Sequence, residues 1–285
     1  MKRRTLVLGG IGGALGAGFL LRPDDRGGDH APYFKGLSAA LDGDRLATPT
    51  LVIDRQRMLE NIATLVSHVN GRFDYRIVAK SLPSLSLLEA VMQASGSQRL
   101  MLFHQPFINQ VAEHLPQADI LLGKPMPVAA ARNFYREYPG GAFEPARQLR
   151  WLVDTPERLQ QYGELANGLE QDLLVCIEID VGLHRGGVST DEQLLTMLQL
   201  IEQSPRLRFA GLMGYEPHIV KIPLGDPVNY RDRAMAEYSR YLEVARSFLG
   251  GSWPRDAVLN AGGSPTYQMY DRGDFPFNEL AAGSC

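Results

Sequence analysis

Cysteine is almost missing from this chain of 285 residues: only Cys176 and Cys285 occur. Two distant thiols support neither a disulfide framework nor a zinc-ligand spacing. Cys176 falls inside an apolar run and reads as a small buried hydrophobe. An excess of one charge is also lacking. The formal net charge is -3, so there is no basic footprint, and nucleic-acid partners are excluded. Internal repeats are absent, and low complexity is confined to the amino terminus. A dinucleotide loop is missing as well, because Gly10 and Gly12 call for a third glycine where Leu15 stands. What remains is ordinary globular composition, 45% hydrophobic and 21% charged, at a length that suits one large domain or two small ones.

The amino terminus differs from the rest. Lys2-Arg3-Arg4 precedes Thr5 to Leu21, a glycine-rich run without charge, and Arg22 to Asp29 is polar and linker-like. A basic start, an apolar stretch and a polar exit describe an export signal or short anchor. The paired arginines resemble a twin-arginine leader. Residues 1–30 are therefore expected to be leader and linker, with anchoring through residues 5–21 and a periplasmic or membrane-anchored location. A glycine-rich buried segment of the fold is the alternative. Residues 31–285 are expected to be the folded domain.

From Thr48 onward the chain alternates. Thr50–Asp54 reads as a strand and Arg55–Val69 as an amphipathic helix with Met58, Leu59, Ile62, Leu65, Val66 and Val69 on one face. Apolar runs at Tyr75–Lys80, Arg99–Phe103, Asp119–Lys124, Leu149–Asp154, Leu173–Asp180, Phe209–Tyr215 and Ala257–Ala261 read as strands separated by helical stretches. One more begins at Glu279. Thr155-Pro156 is a helix cap followed by proline at the first helical position. Near-continuous apolar strands alternating with helices indicate parallel strands covered by helices. Counted from the Tyr75–Lys80 strand, this predicts an α/β fold, a (β/α)8 TIM-type barrel whose last strand is incomplete.

Chemistry-bearing residues gather at the strand ends. Lys80 closes its strand, and such a position faces the mouth where barrels keep their chemistry. Burial there would lower its pKa, and a neutral amine attacks an aldehyde to give a Schiff base; a solvated cap is the competing reading. In Glu178-Ile-Asp-Val-Gly-Leu-His-Arg185, the Arg185 fork suits an anionic oxygen, or else pairs with Asp180. His184 is equally readable as structural or catalytic. Tyr215 and His218 follow the next strand and bring polar tips toward the mouth, or pack a loop. Asn260-Ala-Gly-Gly-Ser-Pro-Thr266 offers successive backbone N–H groups as an anion nest, with hydroxyls from Ser264 and Thr266, where barrels often hold phosphate. Lysine, arginine, tyrosine and a nest together fit a phosphorylated aldehyde. Pyridoxal 5'-phosphate matches, with its aldehyde at Lys80, its phosphate at Gly262, Gly263, Ser264 and Thr266, and its 3'-oxygen at Arg185.

On these residues the chain resembles the fold-type III pyridoxal-phosphate enzymes, the alanine-racemase-like barrels, and within them the D-threonine aldolase and D-serine dehydratase branch. The resemblance runs from about Thr48 to Cys285. It is carried by Thr48–Asp54, Ala79-Lys80, Asp180–Val188, Gly211–Tyr215 and Gly262–Thr266. It implies a lyase or racemase acting on a D-amino or β-hydroxy amino acid, by aldol cleavage, β-elimination or racemisation, with Lys80 as link and base, and a homodimer. Two departures stand out. Ser81-Leu82-Pro83 follows the lysine where the branch carries Thr-His-Lys. The branch's carboxy-terminal β-domain, which closes the site and supplies ligands for a divalent metal, has no counterpart before Cys285. Without it, no metal is expected, turnover is expected to be poor, and Thr50–Asp54 would be left as an exposed edge that favours association. A non-catalytic pyridoxal-phosphate homeostasis protein, a truncated inactive copy, and an unrelated barrel in which Lys80 pairs with a substrate anion are the alternatives.

Overall fold

The computed structural model describes residues 27–44, 46–69, 71–81, 83–221 and 225–283. The chain divides into two compact units, Met1–Ile53 and Asp54–Cys285. In the first, Pro32–Leu41 forms helix α1, followed by a 3-10 turn at Asp42–Asp44.

The second unit is the barrel. Its strands are β1 (Asp74–Val78), β2 (Arg99–Leu102), β3 (Asp119–Leu122), β4 (Leu149–Val153), β5 (Leu173–Glu178), β6 (Leu207–Met213), β7 (Val258–Ala261) and β8 (Glu279–Ala282), all parallel and closed in chain order. The β8 strand is short, yet it pairs with β1 from Asp74↔Glu279 to Ile77↔Ala282 and with β7 at Asn260↔Glu279. Four residues thus suffice to close the ring where the sequence predicted an incomplete strand.

The helices that return the chain are α2 (Arg55–Val69), α3 (Leu85–Ser95), α4 (Gln105–His114), α5 (Val128–Glu137), α6 (Pro145–Gln148), α7 (Pro156–Leu169), α8 (Asp191–Gln203) and α9 (Pro227–Leu249). Local capping starts several of them: the Ser84, Thr155 and Thr190 hydroxyls accept from Leu87, Arg158 and Gln193 N–H. Two sides of each strand are apolar because one faces the barrel interior and the other these helices. At Gly211 the β6 backbone approaches β7 so closely that a Cβ would lie 1.8 Å from the Val258 carbonyl oxygen, and φ is +143°; only glycine fits there.

The two-residue period of a strand sets the interior. In β1 it aligns Arg76, Val78 and, just beyond, Lys80. Arg76 lies at the amino-terminal end of the barrel, fully buried, and donates to both Glu279 and Asp119; Arg150 donates to Asp119 as well. These charges plug the bottom and leave the carboxyl-terminal end open for a site.

Two expectations are corrected. Thr50–Asp54 is irregular chain, and Leu51, Val52 and Ile53 are exposed. The run has strand composition but pairs with no strand among the described residues, and an unpaired strand leaves its backbone groups unsatisfied. The predicted periplasmic or membrane-anchored location is likewise overturned. No helix among the described residues is long and apolar enough to cross a membrane, and residues 1–26, with the run at 5–21 that carried the expectation, lie outside the described residues.

Candidate active site

A cavity of about 240 Å3 opens at the carboxyl ends of the strands. Lys80 enters it from β1, Phe103 from β2, Lys124 from β3, and Tyr215 from β6; the loop after β7 contributes Gly262, Gly263 and Ser264. Arg185 reaches it from the loop after β5. The cavity therefore gathers six of the seven residues predicted as site residues. Thr266 is the exception: it is buried, and its hydroxyl donates to Glu216 at 3.1 Å rather than facing the cavity.

Lys80 is exposed rather than buried, because the strand ends at Val78 and the lysine stands on the rim above it. It makes no hydrogen bond or ion pair among the described residues, and its Nζ lies 5.6 Å from the centre of the Phe103 ring. Lys124 differs. Its Nζ donates to Glu178 Oε1 at 2.9 Å, and Glu178, the last residue of β5, is buried. The cavity thus holds one amine neutralised by a carboxylate and one that is free.

Arg185 does not pair with Asp180. Asp180 is wrapped by its own loop, accepting from Gly182 N–H and His184 N–H at 3.0 Å each, with His184 Nδ1 2.7 Å away. Burial opposes its charge, but these hydrogen bonds from His184 and Gly182 hold its carboxyl below the usual range. His184 accordingly takes a structural place: it is 82% exposed and does not line the cavity. Released from Asp180, Arg185 lays its guanidinium over the Tyr215 ring, 4.8 Å from its centre, and comes within 4.0 Å of Glu178. Burial raises the Tyr215 hydroxyl above its ordinary value, and Arg185 acts against that shift. His218 is half-buried and stays out of the cavity.

The glycine loop after β7 is a tight turn. Gly262 has φ +80°, and Thr266 N–H and Tyr267 N–H both donate to the Gly263 carbonyl at 2.9 Å. A Cβ on Gly263 would meet the Tyr215 ring at 2.8 Å. The loop backbone thus comes close to the cavity, which suits a group that needs N–H donors and leaves no room for a side chain. A phosphorylated aldehyde fits this donor set: a free amine, a guanidinium and a glycine cradle share one cavity. No group of three or more His, Cys, Asp or Glu among the described residues is placed to hold a metal ion.

Lys124, Glu178 and Glu216 were missed by sequence reasoning. Lys124 closes Asp119–Lys124 as Lys80 closes its own strand, so the same strand-end argument applies to it. Glu178 carries a weaker signal, a lone carboxylate inside an apolar strand. Nothing in Gly214-Tyr-Glu-Pro-His218 singles out Glu216.

The chain has relatives. Residues 53–285 match the family described as alanine racemase, N-terminal domain. A D-threonine aldolase of Arthrobacter sp. is 26% identical over 263 residues, which is 86% of this chain and 63% of that protein. Among solved structures, the D-threo-3-hydroxyaspartate dehydratase of Delftia sp. aligns with a TM-score of 0.70 at 21% identity, over 84% of this chain and 61% of that one. The D-threonine aldolase of Filomicrobium marinum gives 0.68 at 19%, over 84% and 62%, and an alanine racemase of Bacillus anthracis 0.60 at 18%, over 79% and 55%. The chain spans about three-fifths of the length of these relatives. Pyridoxal 5'-phosphate is the cofactor expected from such a family. On the match over residues 53–285, the chain belongs to the alanine racemase N-terminal domain family.

Proposed function

We propose that this chain binds pyridoxal 5'-phosphate through Lys80 and, with that cofactor, acts on a D-amino or β-hydroxy amino acid by aldol cleavage, β-elimination or racemisation. The observation that carries the reading is the pair of unlike lysines in one cavity. Lys124 is held by Glu178, whereas Lys80 is free and shares its cavity with the glycine loop. An amine engaged as a donor to a carboxylate is a poor nucleophile; a free one can form a covalent link.

In this reading Lys80 Nζ holds the aldehyde end. Backbone N–H groups around Gly263 and Ser264 receive the phosphate, and Arg185, steadied on Tyr215, receives the 3'-oxygen. Thr266 and Gly262 support the loop from behind. The cofactor supplies an electron sink for the substrate α-carbon. On its own face of the site, Lys80 Nζ is the group placed to take and return the α-proton. Met101, Phe103 and Met213 make part of the cavity lining apolar and limit water around the reacting atoms.

Borohydride reduction of the cofactor-loaded protein, followed by peptide mapping, tests the link. A pyridoxyl group on Lys80 is expected, and one on Lys124 or Lys221 refutes the assignment. A second expectation concerns the cradle. Gly263→Asp sets a carboxylate beside the phosphate and drives a Cβ into Tyr215. Like unit charges about 4 Å apart near a protein surface repel by roughly 4 kcal/mol, so cofactor affinity in a titration should fall by about a hundredfold or more. Unchanged affinity would place the phosphate elsewhere.

A further inference from the structure

Glu216 follows β6 and stands behind the glycine loop, with 0% of its surface exposed. Three donors converge on it. Its Oε1 accepts from the Tyr270 hydroxyl at 2.9 Å and the Thr266 hydroxyl at 3.1 Å, and its Oε2 accepts from Gly262 N–H at 3.3 Å. Two of these donors belong to the turn that borders the cavity. They are also two of the groups that the sequence assigns to phosphate.

We propose that Glu216 is a positioning residue that sets the phosphate affinity of the glycine loop, by gripping Gly262 and Thr266 from behind so that the N–H groups of Gly263 and Ser264 are presented to the cavity. The proposal rests on the reading of this loop as the phosphate site. The geometry favours it over a purely structural role. A buried carboxyl is costly unless paired, and Glu216 forms no ion pair with a Lys, Arg or His among the described residues. Its partners are instead the loop and the Tyr270 hydroxyl at the end of the 3-10 turn Tyr267–Tyr270 that follows it.

The arrangement also ties phosphate binding to a proton. The groups that face Glu216 are the Tyr270 and Thr266 hydroxyls, Gly262 N–H, the neighbouring Tyr215, and Tyr238 of α9; Arg231, also on α9, acts on Tyr270. Burial raises the Glu216 carboxyl above its ordinary value, and the hydrogen bonds from Tyr270, Gly262 and Thr266 only partly offset this. The fold thus shifts this carboxyl toward its neutral form relative to an exposed one. A phosphate dianion in front of the loop favours it further. Affinity for phosphate is therefore highest while Glu216 is neutral and declines as pH rises through its titration.

The test compares pyridoxal 5'-phosphate with pyridoxal, which keeps the aldehyde and lacks the phosphate. The ratio of their affinities cancels what the aldehyde and its link to Lys80 contribute. Measured against Glu216→Gln, which keeps the phosphate's own titration and lacks that of Glu216, the wild-type ratio is expected to decline as pH rises. Glu216→Ala leaves the loop donors unheld and should lower the ratio about tenfold, the order expected when buried donors lose their acceptor. Glu216→Gln keeps the oxygen that accepts from Tyr270 and Thr266, loses the acceptor for Gly262 N–H and cannot ionise, so it should lower the ratio less than Glu216→Ala and remove from the profile the part that Glu216 contributes. If Glu216→Ala does not fold, as judged by thermal melting, the Gln variant decides alone: a profile superimposable on wild type overturns the proposal. Unchanged ratios in both variants overturn it as well. A wild-type protein that shows no pyridoxyl group on Lys80 overturns the cofactor reading instead. Inorganic phosphate, titrated calorimetrically against wild type and Glu216→Gln, then decides the loop by the same pH comparison.

Discussion

Replacing Arg76 by methionine is expected to destabilise the barrel by about 3–5 kcal/mol, the usual result of removing one partner from a buried ion pair. Arg76 is fully buried, and its guanidinium donates to Glu279 through Nε and through Nη2 at 2.6 Å, to Asp119 Oδ1 at 2.7 Å, and to the Leu100 and Asp119 carbonyls at 2.9 Å each. Burial disfavours its charge, yet Glu279 and Asp119 more than reverse this and raise its pKa. Without Arg76, Asp119 keeps Arg150. Glu279, 1% exposed, keeps Asn260 Nδ2 at 2.7 Å and Arg99 at 3.5 Å. It is then an under-compensated carboxylate in β8, the strand that closes the ring. The check is urea denaturation, with a lowered midpoint at an unchanged slope. Arg76→Met/Glu279→Gln should regain part of the loss, because the charge left unpaired is gone. A midpoint close to wild type would mean that the plug is solvated and contributes little.

This plug was not legible in the sequence, whereas the barrel around it was. Arg76 interrupts an apolar strand and looks like a flaw in the pattern until β2, β3 and β8 are wrapped around it. Strand and helix periods are local, so Arg55–Val69 emerges from spacing to the residue. Pairing is not local, which is why Thr50–Asp54 reads as a strand from its composition, yet is irregular chain in the fold. The site shows the same division. Lys80, Arg185, Tyr215 and the glycines follow from strand-end position. The partners that decide their roles come from elsewhere in the chain: Glu178 neutralises Lys124, 54 residues earlier, and Glu216 draws Thr266 away from the cavity, 50 residues on. Position along a strand predicts which residues reach the mouth. Which of them are already engaged is a property of the closed ring.

That distinction leads to the largest functional effect. Lys80→Met and Lys80→Arg should both lose cofactor retention completely after desalting, while Lys124→Met should keep it. The arginine variant separates two roles for the lysine. A guanidinium preserves the positive charge beside the Phe103 ring but stays protonated at any working pH, so it cannot serve as a nucleophile. If Lys80 acts by covalent attachment, arginine fails as fully as methionine. If Lys80 only attracts an anion, arginine retains cofactor about as well as wild type, and the proposed link is wrong. Lys124→Met supplies the converse. It leaves buried Glu178 with Arg185 at 4.0 Å as its nearest cation, so stability should drop, yet the amine that makes the link is untouched. Retained absorbance of the bound cofactor, read on the desalted protein together with a melting curve for each variant, gives both answers at once. Loss of retention in Lys124→Met with a folded chain, alongside retention in Lys80→Met, would move the attachment site from β1 to β3.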